Sequence, residues 1–295
     1  MARRKLLITG GCSYTDPNYL TNDKSLPQER SAWKMWPEYL GDALDLEVVN
    51  TGSSGSSNET IFHNVLEKIH LYGDRVDTVV VMWTGMDRRR IMCGYDINPL
   101  SETNIIMGRD PAHTDERHGP FEWLDRLGMK NLSYNFFISK DFWKVRVPFI
   151  KYSIEDSLRA YVSLAEVCKL HGINFIFMNA LFPFDYNYLE MFHNAGILKC
   201  PDDRHVSTSQ EEVMKIFTNN IWFTKIEKTY KKNFIGWPLY RNLGGTYFDE
   251  MRFDGTHGFE KGNSYKVSDI DGHPNAEAQE IISKVILERH REVYD

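Results

Sequence analysis

A serine and a histidine stand at points of the chain where structural elements are expected to begin or end. Ser13 lies in residues 10–15 (Gly-Gly-Cys-Ser-Tyr-Thr), directly after a short apolar run. His273 lies in residues 268–275 (Ser-Asp-Ile-Asp-Gly-His-Pro-Asn), just before a helical tail. Acyl transfer needs a hydroxyl nucleophile and a base that takes its proton. We therefore predict Ser13 as the nucleophile and His273 as its base.

The remaining parts of such a site are a carboxylate for the base and donors for the oxyanion. Asp271 and Asp269 both stand close enough in sequence to hold the second ring nitrogen of His273. Backbone amides of Ser13 and Gly55 are candidate oxyanion donors, because a glycine lets the backbone approach a substrate closely. No group of residues suggests a metal site or a bound cofactor.

Each of these features also has a purely structural explanation. Ser13 can be a turn residue, and a loop rich in glycine and serine is more often a connection than an oxyanion hole. His273 alone is more often a helix-start or core histidine than a base. The catalytic interpretation depends on the order and placement of all these segments together.

Alternating strands and helices have to position these segments. The predicted strands cover 5–9, 46–49, 77–83 and 172–178, and the predicted helices cover 37–44, 61–69, 158–170 and 276–293. The run at 77–83 is apolar and β-branched after its first residues, which is typical of a strand buried on both faces of a parallel sheet. The alternation predicts a doubly wound α/β fold, whose ligands bind beyond the carboxyl ends of the strands.

Two stretches do not follow this alternation, residues 91–150 and 182–262. We interpret them as insertions into a single domain that covers residues 1–295. Within the second stretch, Ser209 and Glu212 have the spacing of a capping box and predict a helix start.

Composition excludes several classes of function. A net charge of −6 argues against nucleic acid as a partner. The four cysteines lack the short spacings of zinc sites and of disulfide frameworks. No signal peptide and no apolar run long enough for a membrane span are found. We expect a cytoplasmic location in the producing cell, with assembly into a virus particle as an alternative.

Four short blocks of the sequence resemble those of the SGNH/GDSL hydrolase superfamily. They are Gly-Cys-Ser-Tyr-Thr, then Asn-x-Gly-x-x-Gly-x-x-Asn after the second strand, Trp-Thr at the end of the third, and Asp-Gly-His-Pro-Asn near the carboxyl terminus. The first block is similar to the Gly-Cys-Ser variants common in bacteriophage genomes. The resemblance implies a flavodoxin-like three-layer α/β/α fold and a metal-free serine esterase or acyltransferase. By this resemblance, Ser13 matches the nucleophile, Gly55 matches an oxyanion donor, and His273 matches the base.

Two blocks depart from the superfamily pattern. The third normally reads Gly-x-Asn-Asp and its Asn donates to the oxyanion, whereas residues 83–86 are Trp-Thr-Gly-Met, so Asn58 is the candidate replacement. The last block normally has Asp three residues before His, a position that Ile270 occupies here, and Asp271 stands two residues before. Asp254 and His257 have the usual spacing but lack the Pro-Asn and the following helix.

Three functions compete on these observations. The first is hydrolysis or transfer of an acyl group on a small molecule or glycan, with an O-acetyl group on a glycan as the leading candidate, by a Ser-His-Asp mechanism. The second is a catalytically weak or inert module of the same fold that binds a ligand or builds a virion. The third, a nucleotide-binding domain, lacks any G-x-G-x-x-G or G-K-[ST] motif to hold phosphate. Oligomeric state stays open.

Overall fold

The structure is a computed structural model. It describes residues 4–21, 23–26, 33–86, 88–91, 103–106, 140–180, 217–236, 267–268, 271 and 273–295. The chain divides into two compact units, one formed by Met1–Gly85, Ala160–Pro183 and Lys225–Asp295, the other by Met86–Arg159 and Phe184–Thr224. Most of 91–150 and 182–262 lies outside the described residues, and so does the helix start predicted at Ser209 and Glu212.

Seven strands and five α-helices occur in the described residues. The strands are β1 (Leu6–Gly11), β2 (Glu47–Asn50), β3 (Val76–Trp83), β4 (Arg88–Ile91), β5 (Thr103–Ile106), β6 (Asn174–Asn179) and β7 (Phe234–Ile235). The helices are α1 (Trp36–Leu44), α2 (Asn58–Tyr72), α3 (Lys140–Leu170), α4 (Ile221–Thr229) and α5 (Ala276–Tyr294). In the second unit β4 and β5 pair antiparallel.

The first unit is built on one parallel sheet in the order β2-β1-β3-β6-β7. When only its own strands are counted in chain order, this is the 2-1-3-4-5 order of flavodoxin-like folds. The predicted α/β fold with a parallel sheet is therefore confirmed. The order reverses direction at β1, so ligands are expected beyond the carboxyl ends of β1 and β3.

Helices cover both faces of this sheet. Leu7, Val80 and Met82 share one core cluster with residues of α1 and α5. The opposite face carries Gly10, where an added Cβ would lie 2.5 Å from a methyl group of Val65 on α2. Because side chains alternate between faces along a strand, these contacts define three layers, α/β/α.

The same opposite face is rich in aromatic rings. Trp83 of β3 contacts Tyr161 of α3, with ring centroids 4.4 Å apart, and Phe177 of β6, with centroids 5.6 Å apart. Phe234 of β7 packs on Phe177 at 5.3 Å. The short strand β7 thus joins the sheet through both backbone pairing and a ring contact.

Several elements differ from the sequence prediction, among them β7 and α3. β7 lies in the stretch interpreted as an insertion, and its two residues are too few to produce a period-2 pattern. Helix α3 begins at Lys140 instead of Leu158. Pro148, which lacks an N–H donor, interrupts the helical pattern of the sequence in that region. Among the residues described, no helix is long and apolar enough to cross a membrane.

Candidate active site

Ser13 lies two residues beyond the end of β1 in a tight turn. The backbone N–H groups of Thr15 and Asp16 both donate to the carbonyl of Cys12, at 2.9 and 3.0 Å. Gly11 makes this turn possible, since a Cβ there would lie 2.2 Å from the Thr15 hydroxyl oxygen. The Cys12 side chain is buried in the core cluster, so it fixes the turn against the hydrophobic core.

The structure brings Ser13, His273 and Asp271 into one chain of hydrogen bonds. Ser13 Oγ lies 2.7 Å from His273 Nε2, and His273 Nδ1 lies 2.6 Å from Asp271 Oδ1. The Asp271 residue is 1% exposed, and the His273 side chain is 18% exposed. The imidazole is thus reachable from solvent, while the carboxylate bonded to it is not.

Hydrogen-bond chemistry determines the tautomer of His273. An ionised carboxylate only accepts, so Nδ1 carries the proton and donates it to Asp271. Nε2 is then left as an acceptor for the Ser13 hydroxyl. This is the protonation pattern that a general base for a serine nucleophile requires.

The segment around His273 is tied to a turn and to a helix. The backbone N–H of His273 donates to Asp271 Oδ1 at 3.1 Å. Val267 N–H donates to the carbonyl of His273 at 2.8 Å. Asn275 caps α5, since its side chain accepts a bond from Ala278 N–H at 3.1 Å. The imidazole therefore stands at the start of a rigid element.

Asp271 is buried among donors that keep it ionised. Burial by itself raises the pKa of the carboxyl group, whereas the hydrogen bond from His273 and the charge of its imidazolium form lower it. Hydroxyl hydrogen bonds from Thr21 and Tyr19 lower the pKa further, at 2.6 and 2.5 Å from Oδ2. The pKa of Asp271 consequently lies below its ordinary value.

Three site residues were not predicted from the sequence: Tyr14, Tyr19 and Thr21. The rings of Tyr14 and Tyr19 both contact the His273 ring, with centroids 4.8 and 4.2 Å away. Tyr14 follows the candidate nucleophile directly, a position that could have suggested it. No sequence signal connects Tyr19 or Thr21 with a carboxylate some 250 residues later.

The loop after β2 is bonded to the Ser13 turn. Ser53 N–H donates to the carbonyl of Gly11 at 3.1 Å. Asp16 Oδ2 accepts from both the backbone N–H and the hydroxyl of Ser54, at 2.8 and 2.6 Å. Gly52 approaches Thr15 so closely that an added Cβ would lie 2.6 Å from a backbone carbon.

Gly55 stands in this loop with a φ of +79°, a left-handed conformation that favours glycine. The backbone N–H groups of Gly55 and Ser13 have no acceptor among the residues that the structure describes. Two backbone donors thus remain available on neighbouring, cross-linked loops.

Asn58 begins α2 directly after the cap residue Ser57. Its Oδ1 accepts from Thr84 N–H at 2.9 Å, and its Nδ2 donates to the carbonyl of Thr84 at 3.2 Å. Nδ2 also lies 3.3 Å from the hydroxyl of Tyr161. An oxyanion contact from Asn58 would require one of these bonds to be exchanged.

Three of the candidate residues, Asp269, Asp254 and His257, lie outside the described residues. Within the described part of the chain, no group of three His, Cys, Asp or Glu side chains lies together as metal ligands would. The hydrogen-bonded set therefore consists of Ser13, His273, Asp271 and the side chains around them.

No protein-family model matches the chain, and no curated protein does. Several solved structures are similar in fold. One, assigned to the G-D-S-L family of lipolytic proteins from Desulfitobacterium hafniense DCB-2, is 11% identical, with a TM-score of 0.41 over 97% of this chain and 99% of that one. The acetylxylan esterase Axe2 from Geobacillus stearothermophilus is 14% identical, with a TM-score of 0.34 over 98% of this chain and 94% of that one.

A third similar structure is LAE5, an α/β hydrolase from the metagenome of Lake Arreo, Spain. It is 14% identical, with a TM-score of 0.39 over 100% of this chain and 98% of that one. At such low identity and TM-score, these structures transfer neither a substrate nor the role of a residue to this chain.

Proposed function

We propose that this protein is a serine ester hydrolase. One observation carries the proposal: Ser13, His273 and Asp271 form a continuous chain of hydrogen bonds at the carboxyl ends of a parallel sheet. A buried carboxylate, an oriented imidazole and a hydroxyl in this order are the arrangement that activates serine for acyl transfer.

In the proposed reaction, Ser13 Oγ attacks the carbonyl carbon of an ester while His273 Nε2 takes the hydroxyl proton. The tetrahedral intermediate collapses, the alcohol leaves with the proton from Nε2, and an acyl-serine remains. Water then attacks this ester with Nε2 again as base, releasing the acid and free Ser13. Asp271 stays ionised throughout and stabilises the imidazolium.

The oxyanion is proposed to bind the N–H groups of Ser13 and Gly55. Both lack an acceptor in the described residues, and the Asp16 to Ser54 bonds tie their loops together. Asn58 is the candidate third donor, although Thr84 and Tyr161 hold its amide in this structure. One such donor contributes about 10²- to 10³-fold in rate. We therefore expect an enzyme with two oxyanion donors to be slower than one with three.

We propose that the substrate is a glycan that carries O-acetyl groups. If a hydroxyl group of a second molecule accepts the acyl group in place of water, the enzyme is an acyltransferase. The support is compositional: the stretches at 91–150 and 182–262 contain Trp123, Trp143, Trp222 and Trp237. Aromatic faces suit the apolar faces of sugars. Release of acetate from acetylated xylan and from mucin, compared between wild type and Ser13→Ala, tests this assignment.

The decisive experiment measures turnover of p-nitrophenyl acetate by wild type, Ser13→Ala and His273→Ala, with folding matched by circular dichroism. We expect a loss of about 10³-fold or more in both variants. Ser163→Ala on α3 and His63→Ala on the exposed face of α2 are the matched controls and should keep the wild-type rate. Equal rates in all five proteins would refute the proposed mechanism.

A second candidate is an inert binding or virion module of the same fold. The observation that favours it is the loop after β3, where residues 84–86 are Thr-Gly-Met and provide no side-chain amide. Labelling with a serine-directed fluorophosphonate separates the two functions. Absence of labelling in wild type, together with glycan binding that survives in Ser13→Ala, would establish the binding module instead.

A further inference from the structure

Tyr19 contacts both members of the His-Asp pair. Its hydroxyl lies 2.5 Å from Asp271 Oδ2 and 2.8 Å from His273 Nδ1. Its ring lies against the imidazole, with centroids 4.2 Å apart and planes tilted by 30°. A single side chain thus meets the base through its ring and the carboxylate through its hydroxyl.

The direction of these hydrogen bonds follows from counting protons. Tyr19 has one hydroxyl proton, and ionised Asp271 can only accept, so the proton lies between the phenol oxygen and Oδ2. The phenol oxygen then faces the Nδ1 proton of His273 as a second, more distant acceptor beside Asp271 Oδ1, which is 2.6 Å away. Tyr19 therefore closes a three-membered ring of hydrogen-bonding groups.

Thr21 donates a second hydrogen bond to the Asp271 oxygen that Tyr19 contacts. Its hydroxyl donates to Asp271 Oδ2 at 2.6 Å and accepts from Asp23 N–H at 3.1 Å. Two hydroxyls from the segment 19–21 therefore saturate Oδ2, while both bonds from His273 go to Oδ1. The carboxylate is held so that Oδ1 alone faces the base.

We propose that Tyr19 is a positioning residue that holds the His273 ring with Nε2 toward Ser13 and shields the His273 to Asp271 bond from water. Rotation of the imidazole would break the ring contact and the paired hydrogen bonds together. The inference rests on the proposed function only in that Ser13, His273 and Asp271 are taken as the catalytic groups.

Kinetics of Tyr19→Phe test the role of the hydroxyl. The variant keeps the ring and loses the bond to Asp271, so with p-nitrophenyl acetate we expect kcat to fall about tenfold with KM within about twofold. Tyr72→Phe, at the far end of α2, is the matched control and should retain both constants. A kcat of Tyr19→Phe within twofold of wild type, or a loss confined to KM, would overturn the proposal.

A second measurement does not depend on activity. The Nδ1 proton of His273 should give a downfield proton NMR resonance that is absent from His273→Ala. In Tyr19→Phe we expect its exchange with water to be at least about tenfold faster, because removal of the hydroxyl opens a place for water beside Oδ2. Unchanged exchange would overturn the shielding role. If wild type proves inactive toward esters, the proposed function fails, while this exchange rate still decides the inference about Tyr19.

Discussion

At the scale of single residues, the three hydrogen-bonded groups differ in exposure. The His273 side chain is 18% exposed, whereas Ser13 is 9% and Asp271 1% exposed. Asp271 accepts hydrogen bonds from His273, Tyr19 and Thr21. A buried charge costs free energy unless donors compensate it, and here they do. Because His273 Nδ1 bonds to Asp271, the contacts of Asp271 with Tyr19 and Thr21 also help to orient the imidazole.

Asp271→Asn tests the role of this carboxylate in catalysis. An amide in its place can offer a donor to Nδ1, which favours the tautomer with the proton on Nε2 and leaves Ser13 without an acceptor. We expect kcat to fall by about 10³- to 10⁴-fold while the fold is retained. The check is p-nitrophenyl acetate turnover beside Asp77→Asn on β3, which should stay near wild type. An Asp271→Asn variant of wild-type rate would contradict the assignment.

The lowered pKa of Asp271 also makes a prediction about stability and pH. A carboxyl with a depressed pKa in the folded state stabilises the fold fully above its unfolded value of about 3.9, and this stabilisation is lost as pH falls toward the folded pKa. The difference in free energy of unfolding between wild type and Asp271→Asn should therefore shrink from pH 5 to pH 2. Urea unfolding at several pH values measures it, and a difference that grows on acidification would be inconsistent with a paired, ionised Asp271.

At the scale of elements, the site depends on loops that follow β1 and β2 and on the start of α5. The Asp16 to Ser54 bonds and the close approach of Gly52 to Thr15 join the first two loops. Asn275 caps α5 two residues after His273. The precision of the site is thus a property of loop contacts and one helix terminus.

Gly52→Ala tests the close approach between the loops. Its Cβ would lie 2.6 Å from the backbone of Thr15, which cannot move as a flexible side chain can. At Gly55 an added Cβ would meet open space. Gly55→Ala should therefore lose only the unfolding free energy that a left-handed φ costs a residue with a Cβ, about 1 to 2 kcal/mol. We expect Gly52→Ala to lose more unfolding free energy than Gly55→Ala. Chemical denaturation of both variants decides this, and the reverse order would show that the loops separate easily.

Asn275→Ala tests the cap of α5. Loss of the bond to Ala278 N–H should cost about 1 kcal/mol of unfolding free energy. Glu288→Ala, on the exposed face of the same helix, is the matched control and should change little. Thermal unfolding followed by circular dichroism compares the two. Equal melting temperatures would mean that water replaces the cap without loss.

At the scale of the whole molecule, the described core lies on the two faces of the parallel sheet. Leu7, Val80 and Ile282 are fully buried in the cluster that joins the sheet to α1 and α5. This core lies beneath the turn that carries Ser13, because Cys12 and Tyr14 belong to the same cluster. The same residues therefore contribute to the stability of the fold and to the geometry of the site.

Ile282→Ala measures this coupling. A large-to-small change in a fully buried position should cost about 2 to 5 kcal/mol, whereas Leu71→Ala, at a site that is 63% exposed, should cost little. Below its melting temperature, Ile282→Ala should keep kcat within a fewfold, since α5 retains its cap and His273 its bonds. Denaturant unfolding and turnover at low temperature check the two parts. A large loss of kcat in folded protein would show that core packing itself sets the site.

The sequence alone determines the period of the elements and hence much of the fold. Runs such as 79–83 are apolar on both faces, so they indicate buried parallel strands, and the residues that follow them are expected at one edge of the sheet. Ser13 and His273 could be predicted on this basis. The short strand β7 and the early start of α3 could not, because two residues carry no period and Pro148 interrupts the pattern.

Only the tertiary structure decides which residues meet across the chain. Spacing leaves Asp271 and Asp269 unranked, whereas the structure places Asp271 Oδ1 2.6 Å from His273 Nδ1. Tyr19 and Thr21 carry no motif, and their contact with Asp271 arises because the loop after β1 and the segment before α5 converge at one end of the sheet. The physical reason is general: periodicity encodes local structure, while hydrogen-bond partners distant in sequence are selected by packing.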